Sequence, residues 1–357
     1  MLGGAERILV DVASGIDGAS IACPPGPLEE RAHAAGLPST RLRRRPLDLR
    51  TSARDRLAGP VRLAGLGSEV RRLVRRQRPG VLVAWNMRAL LACRAGLVGM
   101  RRRPPLVFQH NDLLPGPLVG RAVRAAARRA RATVCLSETI ARDLDPDGAL
   151  QRVEVIPAGV DLAHFRPTAE GPAAVGREVL VLGAIVEWKR PELALEVAAR
   201  TLPELPDLRL RLAGEPIGDG DGELLERLRR RAEEPDLEGR VELAGQLADP
   251  LGALRRAACM LHCADREPYG LALVEALACG LPVVAPRAGG PGEIVTERCG
   301  RLFEPGDVDA AARALTAVLD ASQHAEYRAA ARARAERLYD REDTRRRYRA
   351  LLDEVTG

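Results

Sequence analysis

Short aliphatic and β-branched runs alternate with longer Ala/Leu/Arg stretches of helical period, and this alternation confines the chain to βαβ units built on parallel sheets. In the first half the runs fall at 80–84, 106–109, 133–136 and 153–156. In the second they fall at 179–182, 208–212, 241–243, 260–263 and 283–285. Between the two sets lies Ile156-Pro157-Ala158-Gly159-Val160-Asp161, followed by Pro167 and Pro172. That stretch is too rich in Pro and Gly for the interior of an element, which puts a hinge there. At 357 residues the chain exceeds one comfortable core and suits two. The fold class expected is α/β, with two doubly wound, Rossmann-like parallel-sheet lobes over residues 1–160 and 170–334 and an Arg/Ala/Glu-rich helical tail.

The chain opens Met1-Leu2-Gly3-Gly4-Ala5-Glu6-Arg7, which reads as the glycine turn and first helix of a βαβ unit. A doubly wound lobe normally holds its first strand centrally. The expectation is that this strand lies upstream of the given start; the alternative is a lobe that lacks it and is destabilised.

Charge is unevenly spread. Residues 1–157 hold 27 Arg against 14 Asp and Glu, an excess of 13 positive charges, so the total of +6 leaves the remainder with an excess of 7 negative ones. The runs Arg43-Arg44-Arg45, Arg71 to Arg78 and Arg101-Arg102-Arg103 either face an anionic membrane or acceptor or are solvated helix faces and loops. Aromatic residues make up only 3%, which argues against a single-stranded nucleic-acid binder, since that function needs stacking platforms. Seven cysteines without a repeated CxxC spacing read as reduced core thiols. Cys259, His262 and Cys263 fall in a run that reads as a buried strand, whose alternation would keep the three from converging on a metal. His33, His164 and His324 read as surface residues. No 18-residue apolar span and no signal-peptide pattern is seen, so the expected location is cytoplasmic, with the basic first lobe able to sit peripherally at a membrane.

The densest chemical signal is Asp265-Arg266-Glu267-Pro268-Tyr269-Gly270-Leu271-Ala272-Leu273-Val274-Glu275-Ala276-Leu277-Ala278-Cys279-Gly280. A strand ends, a loop carries Glu267, and a helix starts near Gly270 and stops at Gly280. Gly270 lets a ligand approach the backbone, and the first-turn amides offer an anion site backed by the helix dipole. A carboxylate beside an anion site suits a ligand with both phosphates and hydroxyls.

Glu267 and Glu275 stand as Glu-x7-Glu inside EPYGLALVEALACGLPVVA, and this stretch resembles the signature of the family 4 retaining glycosyltransferases, which have the GT-B fold. Further matching pieces are Gly3-Gly4-Ala5-Glu6, Phe108-Gln109-His110, Ser137-Glu138, 156–161, Gly289-Gly290-Pro291-Gly292-Glu293-Ile294 and Gly300-Arg301-Leu302-Phe303, so the resemblance runs over nearly the whole chain. It implies an acceptor-side lobe over 1–160, with a C-terminal helix at about 335–357 packing back on it, and a nucleotide-sugar donor lobe over 170–334, with the cleft between. It further implies that Glu275 binds the donor ribose, that Glu267 faces the sugar near the reacting centre, and that the amides of Gly270 and Leu271 hold the diphosphate. Lys189 would neutralise the departing diphosphate; it is the one lysine beside 54 arginines. His110 would face the sugar from the first lobe, and Gly3 and Gly4 would form its glycine loop. No cofactor and no metal is implied beyond the nucleoside diphosphate sugar itself.

One position departs from the family. The Arg that usually follows the glycine, five residues before the lysine, is Ala184 here, so one diphosphate cation is missing; either Arg190 or an arginine of the other lobe replaces it, or catalysis is weaker than in relatives. The function expected is retaining hexosyl transfer to an acceptor hydroxyl of a membrane-associated lipid, a polysaccharide or a small molecule, with lobe closure about 157–161 excluding water. The competing readings are a catalytically silent GT-B scaffold, which Ala184 and the absent first strand favour, and a nucleotide-sugar epimerase or phosphorylase-like enzyme. A dinucleotide oxidoreductase is disfavoured because no GxGxxG follows a strand.

Overall fold

In the computed structural model the described residues are 3–43, 53–168, 177–218 and 221–357, so Arg44, Arg45 and Pro172 lie outside them. The chain divides into two compact units, Met1–Ala158 with Arg341–Gly357, and Gly159–Asp340. The Pro/Gly-rich stretch at 156–161 thus holds one of the two chain crossings.

The first unit runs α1 (Gly4–Ala13), β1 (Ile21–Cys23), α2 (Pro27–Ala34), β2 (Ser39–Arg41), α3 (Ala53–Gln77), β3 (Leu82–Trp85), α4 (Met87–Leu97), β4 (Leu106–His110), α5 (Pro117–Ala127), β5 (Ala132–Cys135), α6 (Glu138–Leu144) and β6 (Val153–Val155). β1 pairs with β2, and β3 to β6 form a second parallel sheet in sequence order. Among the described residues no strand joins these two sheets. The two central strands, β4 and β5, are buried on both faces, whereas β3 and β6 at the sheet's edges are partly exposed. Val107, Phe108, Val134 and Cys135 have no exposed surface.

The second unit runs β7 (Glu178–Leu182), α7 (Pro191–Thr201), β8 (Arg209–Ala213), α8 (Asp221–Ala232), β9 (Val241–Gly245), α9 (Pro250–Arg256), β10 (Cys259–Leu261), α10 (Leu271–Ala278), β11 (Val283–Pro286), α11 (Pro291–Ile294), β12 (Gly300–Phe303), α12 (Val308–Val318) and α13 (Ala321–Leu338). Its six parallel strands are ordered β12-β11-β10-β7-β8-β9. The chain winds outward from β7 through β8 to β9, then returns to β10 on the other side of β7. Prolines at the first positions of α7, α9 and α11 and the Asp249 and Asp307 caps start these helices where the sequence leaves each loop.

α14 (Arg341–Thr356) belongs to the first unit. Buried Tyr348 donates its hydroxyl to Gln109 Oε1 of β4 and stacks on Trp85 at 6.0 Å, and Trp85 Nε1 donates in turn to the Ala5 carbonyl at 2.9 Å. The tail helix is therefore tied to β3, β4 and α1.

Three strands escaped the sequence reading, β1, β2 and β12, and the strand read at 260–263 runs instead over Cys259–Leu261, which leaves His262 beyond its end. All seven thiols are buried and unpaired. His33 and His164 are exposed, but His324 is half-buried, its Nε2 2.8 Å from the Ala258 carbonyl, so it is not a surface residue. Among the described residues no helix is long and apolar enough to cross a membrane.

Candidate functional site

Doubly wound sheets bind ligands outside the carboxyl ends of the strands, at the point where the winding reverses. In the second unit that point lies between β7 and β10. The loop leaving β7 carries Gly183, Ala184 and Lys189, and the loop leaving β10 carries His262, Asp265, Glu267 and Gly270. A small open pocket lies there, bounded by Gly183, Ala184, Lys189, Pro191, His262 and Cys263.

Lys189 closes a short 3-10 turn, Glu187–Lys189, and donates from Nζ to Glu267 Oε2 at 2.9 Å, with its ammonium also 4.6 Å from the centre of the Trp188 ring. Both partners are largely buried. Burial alone would raise the Glu267 carboxyl, but the Lys189 ammonium, His262 and a hydrogen bond from the Tyr269 backbone outweigh it and hold the group below the usual carboxylate range. Glu267 is therefore an anion. Arg190, in the left-handed region at φ 50°, starts α7 and places Nη1 3.3 Å from Asp265 Oδ2. It is turned to a carboxylate on the same loop that carries Glu267.

α10 begins at Gly270, whose φ of 102° would strain any side chain, and a Cβ there would meet Leu273 Cδ1 at 2.9 Å. The first-turn amides at Gly270 and Leu271 have no intrahelical acceptor and point out of the helix. Glu275 sits one turn further on, 5% exposed. Helical side chains lean toward the N-terminus, a tendency that directs Glu275 toward that first turn. The loop is held from the other side by Gly289 and Gly290. The Gly290 amide donates to the Glu267 carbonyl at 2.9 Å, and a Cβ on Gly290 would stand 2.1 Å from the Tyr269 carbonyl oxygen. Only glycine admits this approach.

The structure thus gathers Lys189, Arg190, Glu267, Gly270, Leu271 and Glu275 at the ends of β7 and β10 and the start of α10. It adds His262, which the sequence reading set aside as a strand residue. His262 Nε2 lies 3.8 Å from Glu267 Oε2, is buried, and has no hydrogen-bond partner. Burial, aided by the nearby Lys189 charge and opposed by Glu267, pulls its imidazole down to about 4, so it is neutral above that pH.

His110 and the pair Gly3 and Gly4 belong to the first unit. His110 ends β4, at the ligand-binding edge of its sheet, yet its ring has no exposed surface and neither nitrogen has a partner; burial pulls it down to about 3. Gly3 caps α1, its amide donating to Glu6 Oε2 at 2.8 Å, and Gly4 is the first helical residue.

Two family models match the chain, one described as Glycosyltransferase Family 4 over residues 2–164 and one as Glycosyl transferases group 1 over residues 170–337. The chain is 36% identical to a D-inositol 3-phosphate glycosyltransferase of Kribbella flavida, over 47% of this chain and 42% of that protein. It is 39% identical to the protein of the same name from Mycobacterium tuberculosis, over 39% of this chain and 30% of that one. The matched stretch therefore spans less than half the length of these relatives. Among solved structures, HepE from Anabaena in complex with UDP-glucose superposes with a TM-score of 0.84 at 22% identity, covering 99% of this chain and 97% of HepE. Sucrose-phosphate synthase from Thermosynechococcus elongatus does so with a TM-score of 0.74 at 19% identity, covering 96% and 97%. At these identities the likeness is one of fold.

Proposed function

For a chain that belongs to the family 4 glycosyltransferases and has their GT-B fold of two parallel-sheet α/β units, we propose that it moves a hexosyl group from a nucleoside diphosphate sugar to an acceptor hydroxyl, with retention at the anomeric carbon. The observation that carries this reading is the constellation at the switch point. One lysine on the loop leaving β7, and a helix N-terminus opened by glycine with two buried glutamates on the loop and helix that follow β10, provide groups for phosphates and for hydroxyls. HepE, of the same fold, was solved with UDP and with UDP-glucose, which makes a uridine donor the first to try.

In the proposed reaction the bond between the anomeric carbon and the diphosphate oxygen breaks, and the acceptor oxygen bonds to that carbon on the same face. The acceptor proton passes to the leaving diphosphate. Lys189 and the first-turn amides of α10 take up the charge that develops on the leaving group, which is the step where fixed dipoles contribute most. Glu275 accepts hydrogen bonds from the ribose, and Glu267 accepts them from the sugar. His110, neutral above about pH 3, can offer a group at the end of β4 a hydrogen bond and no proton. No metal is assigned a role, because in this reading the lysine and amides supply the charge that the diphosphate requires. The seven unpaired buried thiols fit a reducing, cytoplasmic setting.

The test is nucleotide release from a panel of nucleoside diphosphate sugars, with and without EDTA, followed by anomeric analysis of the product. Release from one donor class that persists in EDTA and yields a retained linkage supports the reading. An inverted linkage removes the retaining mechanism, and loss of turnover in EDTA removes metal independence. Ala184 favours a second reading, a donor-binding scaffold without turnover, and donor binding with no release from any donor would establish it.

A further inference from the structure

Between Arg71 and Arg131 the chain has fifteen arginines and a single acidic residue, Asp112. The topology of the first unit gathers them. In a parallel sheet each helix ends, and each following loop runs, at the amino edge of the next strand. The end of α3 with Arg75–Arg78 leads into β3, the loop with Arg101–Arg103 leads into β4, and the Arg128–Arg131 turn leads into β5. Registers of Leu82 with Leu106 and of Val107 with Ala132 align these strand starts side by side. The arginines of all three runs are exposed, and among the described residues none of them has a carboxylate partner. The contrast is β6 on the same edge, where Arg152 is paired with both Glu154 and Glu354.

Cations near helix C-termini complement the helix dipole, but one or two per helix suffice for that. The crowding here carries a cost. Burial lowers the affinity of Arg94 for its proton, and so do the neighbouring charges of Arg129 and Arg103. At the centre of the edge, in the loop between α4 and β4, Val98 is 59% exposed, and Arg71 donates to its carbonyl. An exposed aliphatic residue on the same edge as three arginine runs fits a surface with a phosphate layer over an apolar interior. A soluble polyanion offers the charge without the apolar layer, and single-stranded nucleic acid would call for stacking aromatics, whereas Trp85 and Phe108 of this unit are buried.

We propose that the amino edge of the β3–β5 sheet is a docking surface for an anionic lipid bilayer, with Val98 entering the headgroup layer and the three arginine runs lying on lipid phosphates. This edge is the one opposite His110. β4 spans five residues, so the two edges stand roughly 15 Å apart at about 3.3 Å per residue. A bilayer bound there leaves the carboxyl edge of the sheet facing away from it, so a lipid in that bilayer would meet the acceptor side only through a long headgroup.

The experiment is sedimentation of the full chain with vesicles of phosphatidylcholine alone or mixed with phosphatidylglycerol, over rising salt. Binding to the mixed vesicles only, released by salt, is expected. The triple variant Arg101→Gln/Arg102→Gln/Arg103→Gln should weaken it about a hundredfold and the single variant Val98→Asp about tenfold, neither lowering Tm, since all four side chains are exposed. A control that removes the same charge from the second unit, Arg229→Gln/Arg230→Gln/Arg240→Gln, should bind as the parent does. Equal binding to both vesicle types, or an equal loss in the control, would overturn the proposal. Preference for heparin or duplex DNA over the vesicles, unaffected by Val98→Asp, would reassign the edge to a soluble polyanion.

Discussion

The Nζ of Lys189 stands 2.9 Å from Oε2 of Glu267, so the one lysine of the chain and the buried acid of the β10–α10 loop neutralise each other. In the proposed reaction a diphosphate entering this site would compete with Glu267 for the ammonium. The pair therefore couples donor binding to the charge state of the loop.

Breaking a buried pair from one side leaves the other charge without compensation. Lys189→Met should destabilise the protein by about 3 kcal/mol, and Lys189→Met/Glu267→Gln by clearly less. Denaturant unfolding of the two single variants and the double variant reads the coupling directly. Additive losses would show that the ion pair contributes nothing.

His262 is the group placed to hold Glu267 when the lysine turns to a diphosphate. We expect His262→Leu to lower kcat about tenfold with donor KM nearly unchanged, and His262→Gln, which keeps an N–H, to restore part of the loss. A change confined to KM would assign the residue to donor binding instead.

Stability should fall in mild acid. His262 and His110 have folded values pulled down to about 4 and about 3, below the ordinary 6.5. Between 6.5 and those values the unfolded chain binds protons that the folded chain does not, so stability is full above pH 6.5 and is lost as pH falls toward 4 and then 3. At most, His262 corresponds to roughly 3 kcal/mol and His110 to roughly 5 kcal/mol. Tm measured from pH 7 to pH 4 should drop, and the drop should shrink in His110→Phe. An unchanged profile in that variant would show that His110 does not stay neutral.

Much of this was legible in the sequence, for identifiable reasons. Runs such as Val179–Leu182 and 106–108 stand out as unbroken apolar stretches because both faces of their strands pack inside the unit. β1 and β2, Ile-Ala-Cys and Ser-Thr-Arg, are three residues each, too short for any periodicity to show. The Glu267 to Glu275 loop and helix could be read because glycine, proline and carboxylates mark its turn and its first helical residues. His262 could not. Strand alternation was applied to a residue that lies one position past the end of β10, where alternation no longer holds and where sheets of this kind bind ligands. A polar residue just after an apolar run was the available signal, and it is the signal that did single out His110.

Ala184 lines the pocket beside Lys189, at the position where the resembling family has an arginine. Ala184→Arg would place a second cation against the leaving diphosphate. Its turnover should rise about tenfold or more if leaving-group charge limits the rate. A lower rate, with Lys189 displaced, would mean that this pocket has other use for the space.

The central claim is that α10 binds a nucleoside diphosphate through its first-turn amides and Glu275. Calorimetric titration of UDP, and of GDP in parallel, into the parent protein and Glu275→Ala addresses it most directly. The account predicts saturable binding of one nucleotide to the parent and a loss of at least about tenfold in Glu275→Ala, the worth of hydrogen bonds to a charged acceptor. Equal affinity in the two proteins, or no binding of either nucleotide by the parent, would contradict it.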